Sequence, residues 1–147
     1  MPQYALDFGN ASSDVKCVKP TETFSGDVFL DPIHIDQDAG IANATFAPCA
    51  RTHWHTHEKG QMIKVIAGSG WICDKGGVPQ RLKTGDVVWA PAGTTHWHGA
   101  DYGSIMTHFV IEIGSTVWHE AVTEEEYSQK GQALRMPFNR SQQEMDT

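Results

Sequence analysis

The sequence predicts an all-β protein that ends in one short helix, and three observations support this. Short segments rich in Val, Ile, Trp and Thr recur along the chain, as is typical of strands. Turn-forming residues separate these segments at short intervals. No long stretch of helical periodicity precedes residue 118. Many short strands at regular spacing indicate a sandwich or a barrel.

A single domain is expected, because the chain has 147 residues and a chain of about this length buries roughly 68–70% of its unfolded surface. We expect residues 1–14 to form an N-terminal arm, residues 15–131 the barrel with its helix, and residues 132–147 a frayed tail. The strand candidates are Val15–Lys19, Val28–Phe29, Ile41–Phe46, Thr52–His57, Gln61–Ala67, Gly70–Asp74, Gln80–Leu82, Asp86–Ala90, Thr95–His98 and Ser104–Ile113.

Turns and the helix are placed by specific residue patterns. Asp31-Pro32 and Gly68-Ser69-Gly70 are both predicted to be turns between strands. Thr123 followed by three glutamates has the pattern of a capping box, which predicts a helix over roughly 124–131. We expect Trp118 to pack this helix onto the barrel.

Charge and composition exclude several classes of partner. The formal net charge is −7 and no run of Lys or Arg offsets it, so binding to nucleic acid or to anionic membranes is not expected. No apolar run approaches the ~20 residues of a membrane-spanning helix, and the N-terminus lacks the basic and apolar regions of a signal peptide. The three widely spaced cysteines, Cys17, Cys49 and Cys73, are typical of reduced thiols in a cytoplasmic protein.

The histidines are the main functional signal, since seven of the eight lie between residues 53 and 119. Side chains alternate along a strand, so His53, His55 and His57 share one face, and two of them can converge on one metal ion. Gln61 follows shortly after and could reach the same point. His96-Trp97-His98 repeats the pattern on a distant strand, and two such groups suit a transition metal inside a barrel.

At these residues the sequence resembles the cupin superfamily. The first cupin motif, G-x5-H-x-H-x3-4-E-x6-G, matches the spacing of His55, His57, Gln61 and Gly68. The second motif, G-x5-P-x-G-x2-H-x3-N, matches Gly85, Pro91, Gly93 and His96. The resemblance implies a double-stranded β-helix, the jelly-roll barrel of cupins. It also implies pairing of copies into a homodimer or a higher homo-oligomer.

Three departures from the cupin motifs matter. Cys49 stands where the first motif has Gly, and Ala100 replaces the final Asn of the second. Gln61 stands where most relatives carry Glu. A neutral carboxamide with three imidazoles leaves the full 2+ charge on a bound ion, which makes it a stronger Lewis acid.

The local runs around Trp54–His57, His96–Ala100 and Met106–His108 are similar to one small cupin group, which includes the manganese-dependent hydroxynitrile lyases. This resemblance implies His55, His57, Gln61 and His96 as metal ligands. It also implies His98 as the group beside the substrate and His108 as a further pocket residue with a catalytic role.

Three further residues are predicted to bind substrate. Arg51 could orient an acidic or carbonyl group, although an ion pair with a nearby carboxylate explains it equally well. His53 is expected at the rim of the pocket or behind the ligands. Trp89 could stack on the substrate, but it could also pack in the core, as we expect for Trp54, Trp71 and Trp97.

These residues predict an enzyme that uses one divalent transition metal, with manganese first and Fe, Zn, Ni or Co as alternatives. The leading hypothesis is a lyase that cleaves a C–C bond in a small hydroxylated substrate, as hydroxynitrile lyases do. The alternatives are an Fe(II)-dependent dioxygenase, an isomerase or decarboxylase of a polyketide-like or sugar-derived enol, and a binding domain without catalysis.

Overall fold

The computed structural model describes residues 17–129, and its regular structure is almost entirely antiparallel strand. Eleven strands precede one helix. They are β1 (Phe24–Ser25), β2 (Val28–Ile35), β3 (Ala39–Phe46), β4 (Arg51–Thr52), β5 (His55–His57), β6 (Gln61–Asp74), β7 (Gln80–Lys83), β8 (Val87–Ala90), β9 (Thr95–Ala100), β10 (Met106–Ile113), β11 (Thr116–Trp118) and α1 (Glu124–Ser128). The all-β prediction is confirmed.

The strands form two sheets that share β6, and together they make a nearly closed antiparallel barrel. The first sheet has the order β2-β3-β10-β6-β8, and the second has the order β1-β4-β9-β6-β7. In the second sheet β5 also pairs with β9, and β11 pairs with β5. The site described below lies where β5, β6, β9 and β10 turn their inward side chains toward one another.

Strand β6 passes from one sheet to the other at Gly68. This glycine has φ +72°, and a Cβ there would lie 1.8 Å from the carbonyl oxygen of Ile105. Only glycine fits such a close approach of two backbones. The sequence predicted a turn at Gly68-Ser69-Gly70, whereas the structure has one continuous strand that bends.

Two groups of apolar side chains stabilise the barrel. One fills the interior and includes Phe46, Ile63 and Met106. The other lies on the outer face of the second sheet beneath α1, with members Trp54, Trp71, Cys73, Trp97, Val122 and Tyr127. The core packing predicted for Trp54, Trp71 and Trp97 agrees with their burial, since none is more than 3% exposed.

The capping box that begins α1 is confirmed. The Thr123 hydroxyl accepts from the backbone N–H of Glu126, and the Glu126 carboxylate accepts from the backbone N–H of Thr123. The helix spans Glu124–Ser128, and residues 130 and 131 of the predicted helix lie outside the described residues. Trp118 does not pack α1 onto the barrel as predicted, because its ring contacts Phe24 and His55 instead.

Other differences follow from the edges of the sheets. Asp31-Pro32, predicted to be a turn, lies inside β2, where the register shifts between Pro32 and His34. Proline is tolerated there because, among residues 17–129, β2 pairs along its length with β3 alone, and its other side has only a single bridge from Leu30 to Val18. The predicted arm at 1–14 and tail at 132–147 lie outside the described residues. Within residues 17–129, no helix is long and apolar enough to cross a membrane.

Candidate active site

Six polar side chains are buried together inside the barrel, each no more than 3% exposed. They lie on four strands, and on each strand it is the alternate residues that point inward. The ring centroids of His55 and His96 lie 4.4 Å apart, and those of His55 and His57 lie 4.9 Å apart. The complete group consists of His55, His57, Gln61, His96, His98 and His108. The structure therefore brings together all the residues that the sequence predicted as ligands or catalytic groups.

Three of these histidines have their Nδ1 atoms bound to fixed partners. Nδ1 of His55 lies 2.9 Å from the carbonyl oxygen of His53, and Nδ1 of His96 lies 3.2 Å from that of Thr94. A carbonyl only accepts, so each neutral ring carries its proton on Nδ1. Nδ1 of His57 lies 3.0 Å from the hydroxyl of Thr116. The Thr116 hydroxyl directs its own proton to Glu112, so it accepts from His57, and all three rings keep Nε2 unprotonated, which is the tautomer that binds metal through Nε2.

The polar atoms at the centre of this group lack suitable partners among themselves. The carboxamide oxygen of Gln61 lies 3.1 Å from Nε2 of His96, so two acceptors face each other. Nε2 of His57 is buried and has no hydrogen-bond partner among residues 17–129. A cation between these atoms satisfies all of them at once. Nitrogen atoms of His55, His96 and His98 also lie within 4.8 Å of one another, so three histidines could bind a metal ion.

His98 and His108 form a pair of a different kind. Nδ1 of His98 lies 3.0 Å from Nε2 of His108, and the remaining nitrogen of each ring is buried with no hydrogen-bond partner in the part of the chain that the structure describes. Either ring can donate across this contact, because both nitrogens can carry the proton. The tautomer of His98 is therefore not fixed, unlike that of the other three histidines.

Burial keeps the histidines neutral. Loss of solvation lowers the pKa of His57 to about 4 and that of His108 to about 4. Burial, together with neighbouring imidazoles, places the pKa values of His55 and His98 well below the ordinary value. The pKa of His96 is also lowered, chiefly by burial. Neutral rings at neutral pH leave their nitrogen lone pairs available for a metal or a proton.

Two residues next to His57 were missed by the sequence analysis. The Thr116 hydroxyl, which contacts His57, donates to Oε2 of Glu112 at 3.3 Å. That carboxylate oxygen lies 4.0 Å from Nδ1 of His57, and burial raises the pKa of Glu112. A signal existed: Glu112 follows His108 by four residues on the same strand, so both side chains point inward.

Trp118 forms part of the rim of the site. Its ring centroid lies 4.7 Å from that of His55 and 5.7 Å from that of Phe24. The residue is 39% exposed, so one side of the ring faces solvent. The ring packs beside His55 as its cross-strand neighbour, whereas the sequence had assigned it to the helix.

Comparison of the chain with known proteins identifies its family. A family model for the cupin domain matches residues 43–112. An (R)-mandelonitrile lyase of Granulicella tundricola is 44% identical over an alignment of 115 positions, which covers 74% of this chain and 88% of that protein. The chain is a cupin.

Solved structures agree with this assignment. The cupin is similar to a cupin-like protein of Thermotoga maritima, with a TM-score of 0.75 and 33% identity over 80% of this chain and 96% of that one. It shares its fold with the polyketide cyclase RemF of Streptomyces resistomycificus, with a TM-score of 0.62 and 18% identity over 84% of this chain and 89% of that one.

Arg51 lies on the outer face of the cupin barrel, and its guanidinium group is directed at α1. It donates to Glu124 at 2.8 Å and to the carbonyl oxygen of Val122 at 3.1 Å, and it lies 4.4 Å from the ring centroid of Tyr127. Thr52, the next residue on the same strand, explains this direction. Side chains alternate along a strand, and Thr52 faces the interior, so Arg51 faces outward. The structure thus shows the ion pair with a nearby carboxylate, the alternative that the sequence left open for this residue.

Trp89 also lies outside the barrel and is 56% exposed. Its neighbour Val88 packs against the interior core, so the tryptophan points to the opposite face, where it lies against Gly60. This placement separates Trp89 from the histidines and does not agree with the predicted role in substrate binding. His53 is partly buried, and its contact with the site is made through its backbone carbonyl, which accepts from His55.

Proposed function

We propose that this cupin is a metal-dependent lyase that cleaves a C–C bond in a small cyanohydrin. The observation that carries the proposal is the division of the histidines into two kinds. Three have tautomers fixed for metal binding, and next to them lies a His98–His108 pair that can exchange a proton. The 44% identity to a mandelonitrile lyase supports the choice of substrate.

The metal ligands in this proposal are His55, His57, Gln61 and His96. His98 is near enough to join them, but its Nδ1 faces another imidazole rather than a fixed acceptor, so nothing sets its tautomer for a metal. The ion, for which manganese is the first candidate, would act as a Lewis acid toward the substrate oxygen.

The His98–His108 pair would move the proton. Nε2 of His98 takes the proton of the substrate hydroxyl while its Nδ1 proton passes to Nε2 of His108, which carries its own proton on Nδ1, so His98 stays neutral and the positive charge moves to His108. The C–C bond then breaks, its electron pair leaves with cyanide, and the oxygen becomes that of an aldehyde. Because burial keeps the pKa of His98 low, the pair holds the proton briefly and returns it to cyanide.

Apolar walls next to this pair exclude water and receive the organic part of the substrate. The ring of Phe46 lies 5.0 Å from that of His108 and 5.9 Å from that of His98. Ala44 lies opposite His108 on β3, and Val110 is its inward neighbour on β10. These side chains suit an aromatic or aliphatic group better than a sugar, whose hydroxyls would remain unpaired.

The test is cleavage of mandelonitrile by purified protein loaded in turn with Mn, Fe, Co, Ni or Zn. We expect benzaldehyde and cyanide to form in equal amounts, at the same rate in the presence and absence of oxygen, and a chelator to abolish the reaction. Oxygen consumption would indicate the dioxygenase instead. Absence of turnover with every metal, or turnover unaffected by the chelator, would overturn the proposal.

A further inference from the structure

We propose that Glu112 is a positioning residue, which acts through Thr116 and His57 to supply the negative charge that the neutral Gln61 does not bring to the metal. This inference rests on the proposed metal site. It assigns a role to a carboxylate that belongs to neither cupin motif and lies outside the set of ligands.

A short hydrogen-bond chain connects the carboxylate to the ligand. Oε2 of Glu112 accepts from the Thr116 hydroxyl at 3.3 Å, and that hydroxyl lies 3.0 Å from Nδ1 of His57. Since the hydroxyl proton goes to the carboxylate, the oxygen lone pair is left to accept from the His57 N–H. The chain therefore fixes the proton of His57 on Nδ1 and leaves Nε2 free for the metal.

The fold brings the three residues together from separate strands. Glu112 pairs with Gln61 across β10 and β6, and Thr116 pairs with His57 across β11 and β5. The residue facing Glu112 on the other side is Gly40, which has no side chain to displace the carboxylate. Gly114, with φ +77°, reverses the chain between β10 and β11 and so joins the two pairs.

His57 is distinguished by this connection. The Nδ1 atoms of His55 and His96 are bound by neutral backbone carbonyls, whereas that of His57 is bound by a hydroxyl whose proton is held by a carboxylate. A carboxylate linked to a ligating imidazole raises the basicity of that ligand. With four neutral ligands the site would have a charge of 2+, and Glu112 lowers this by one without occupying a coordination position.

Two properties of the protein follow from this role. Loss of the carboxylate should weaken metal binding, because His57 becomes a poorer ligand and the charge is no longer compensated. The same loss should strengthen the binding of a small anion to the metal-loaded protein. A merely structural role for Glu112 would not produce the second effect.

The experiment is a Mn²⁺ titration of the purified protein, with free Mn²⁺ measured by electron paramagnetic resonance. We expect the dissociation constant to rise about tenfold in E112Q and in T116V, as for other partners of metal ligands. T116S retains the hydroxyl and should bind like the native protein. T45V is the matched control. It removes a partly buried hydroxyl on the outer face, which is hydrogen-bonded to the Thr107 hydroxyl at 3.1 Å.

Azide binding to the Mn²⁺-loaded proteins separates charge from structure. It should be at least about threefold tighter in E112Q than in the native protein, because one negative charge near the metal is lost. It should be unchanged in T116V, which retains the carboxylate. Unaltered Mn²⁺ affinity in E112Q and T116V, or azide affinity unaltered in E112Q, overturns the inference. Failure of the native protein to bind Mn²⁺ would overturn the proposed function itself.

Discussion

The partner of each Nδ1 atom decides what the opposite nitrogen of that histidine can do. His55 and His96 are bound by carbonyl oxygens, so their Nε2 atoms are always acceptors. His98 is bound by a second imidazole, so its Nε2 atom can accept or donate a proton. Histidines only a few ångströms apart thus acquire different chemistry from their outer partners.

Replacement of His96 and of His98 by alanine should have different consequences. We expect H98A to retain its metal and to lose turnover by at least ~100-fold, the usual contribution of a general base. H96A should lose both metal and turnover. Elemental analysis of the two purified variants, together with mandelonitrile cleavage, checks this. Equal loss of metal in both variants would contradict the assignment of His98 as a proton carrier.

Arg51 should matter for stability and not for metal binding. The Arg51 side chain is 5% exposed, and its guanidinium group binds the start of α1. The R51M variant therefore leaves the Val122 carbonyl without its hydrogen-bond donor. We expect the free energy of unfolding to fall by about 1–3 kcal/mol, the cost of an unsatisfied buried group. Mn²⁺ affinity should be unchanged.

A matched control for Arg51 is K19M, which removes an exposed ion pair between Lys19 and Asp27. It should cost no more than about 1 kcal/mol, as is usual for surface pairs. Denaturant unfolding compares the two variants. If R51M reduced Mn²⁺ affinity as much as H96A, the outward placement of Arg51 would be wrong.

At the scale of the elements, β6 depends on a single backbone position. G68A would force a Cβ to within 1.8 Å of the Ile105 carbonyl oxygen, while G76A, at a similar φ of +80°, meets nothing within 4 Å. The G76A variant should lose about 1–2 kcal/mol from backbone strain alone. We expect G68A to lose several kcal/mol more, or to fail to fold. Thermal unfolding of both variants tests this, and equal losses would contradict the close packing at Gly68.

The elements with strong local signals were predicted correctly. Alternation along β9 placed His96 and His98 on one face, and the Thr123 capping box placed the start of α1. The errors concern features set by tertiary contacts. Gly68 reads as a turn because sequence does not show which backbone passes beside it. Pro32 reads as a turn because sequence does not show that β2 is at an edge.

The spacing of the motifs predicted the residues at the centre of the site but not those around them. His55, His57, Gln61, His96 and His98 lie within the two motifs, and His108 lies in the run Met106–His108 that resembles one cupin group, so their convergence followed from spacing and resemblance. Glu112 and Thr116 lie in neither motif, and they join His57 only because β11 folds back onto β5. The outward direction of Arg51 depends on how Arg51 and Thr52 pair with neighbouring strands. This pairing cannot be read from the sequence.

At the scale of the whole molecule, the buried histidines make the stability of the metal-free protein depend on pH. Their folded pKa values are lowered, to about 4 for His57 and His108, whereas unfolded histidines take up protons near pH 6.5. Their contribution is therefore fully present above pH 6.5 and is lost as pH falls toward 4. We expect the free energy of unfolding to be at least ~2 kcal/mol lower at pH 5.5 than at pH 7.

Urea unfolding in the presence of a chelator measures this dependence. H108L should reduce it by about 1 kcal/mol over the same interval, because it removes one of the buried bases. A pH dependence that is identical in H108L and the native protein would contradict the neutral, buried state of His108.

Metal should stabilise the whole domain, because its proposed ligands come from three strands that unfold together. At ~1,000 times the dissociation constant, bound Mn²⁺ contributes about 4 kcal/mol. Differential scanning calorimetry at pH 7.5 should show a clear rise in melting temperature that a chelator reverses. Identical melting with and without Mn²⁺ would contradict a metal site in the folded barrel.

Successive side chains of strand β9 point alternately into the barrel and out of it. His96 and His98 point into the barrel interior, while Trp97 between them packs against Tyr127 beneath the helix. A slip of this strand by one residue would place an indole among the ligands and two imidazoles in an apolar layer. Insertion or deletion of a single residue within β9 would therefore remove both imidazoles from the site and expose the outer apolar layer to them.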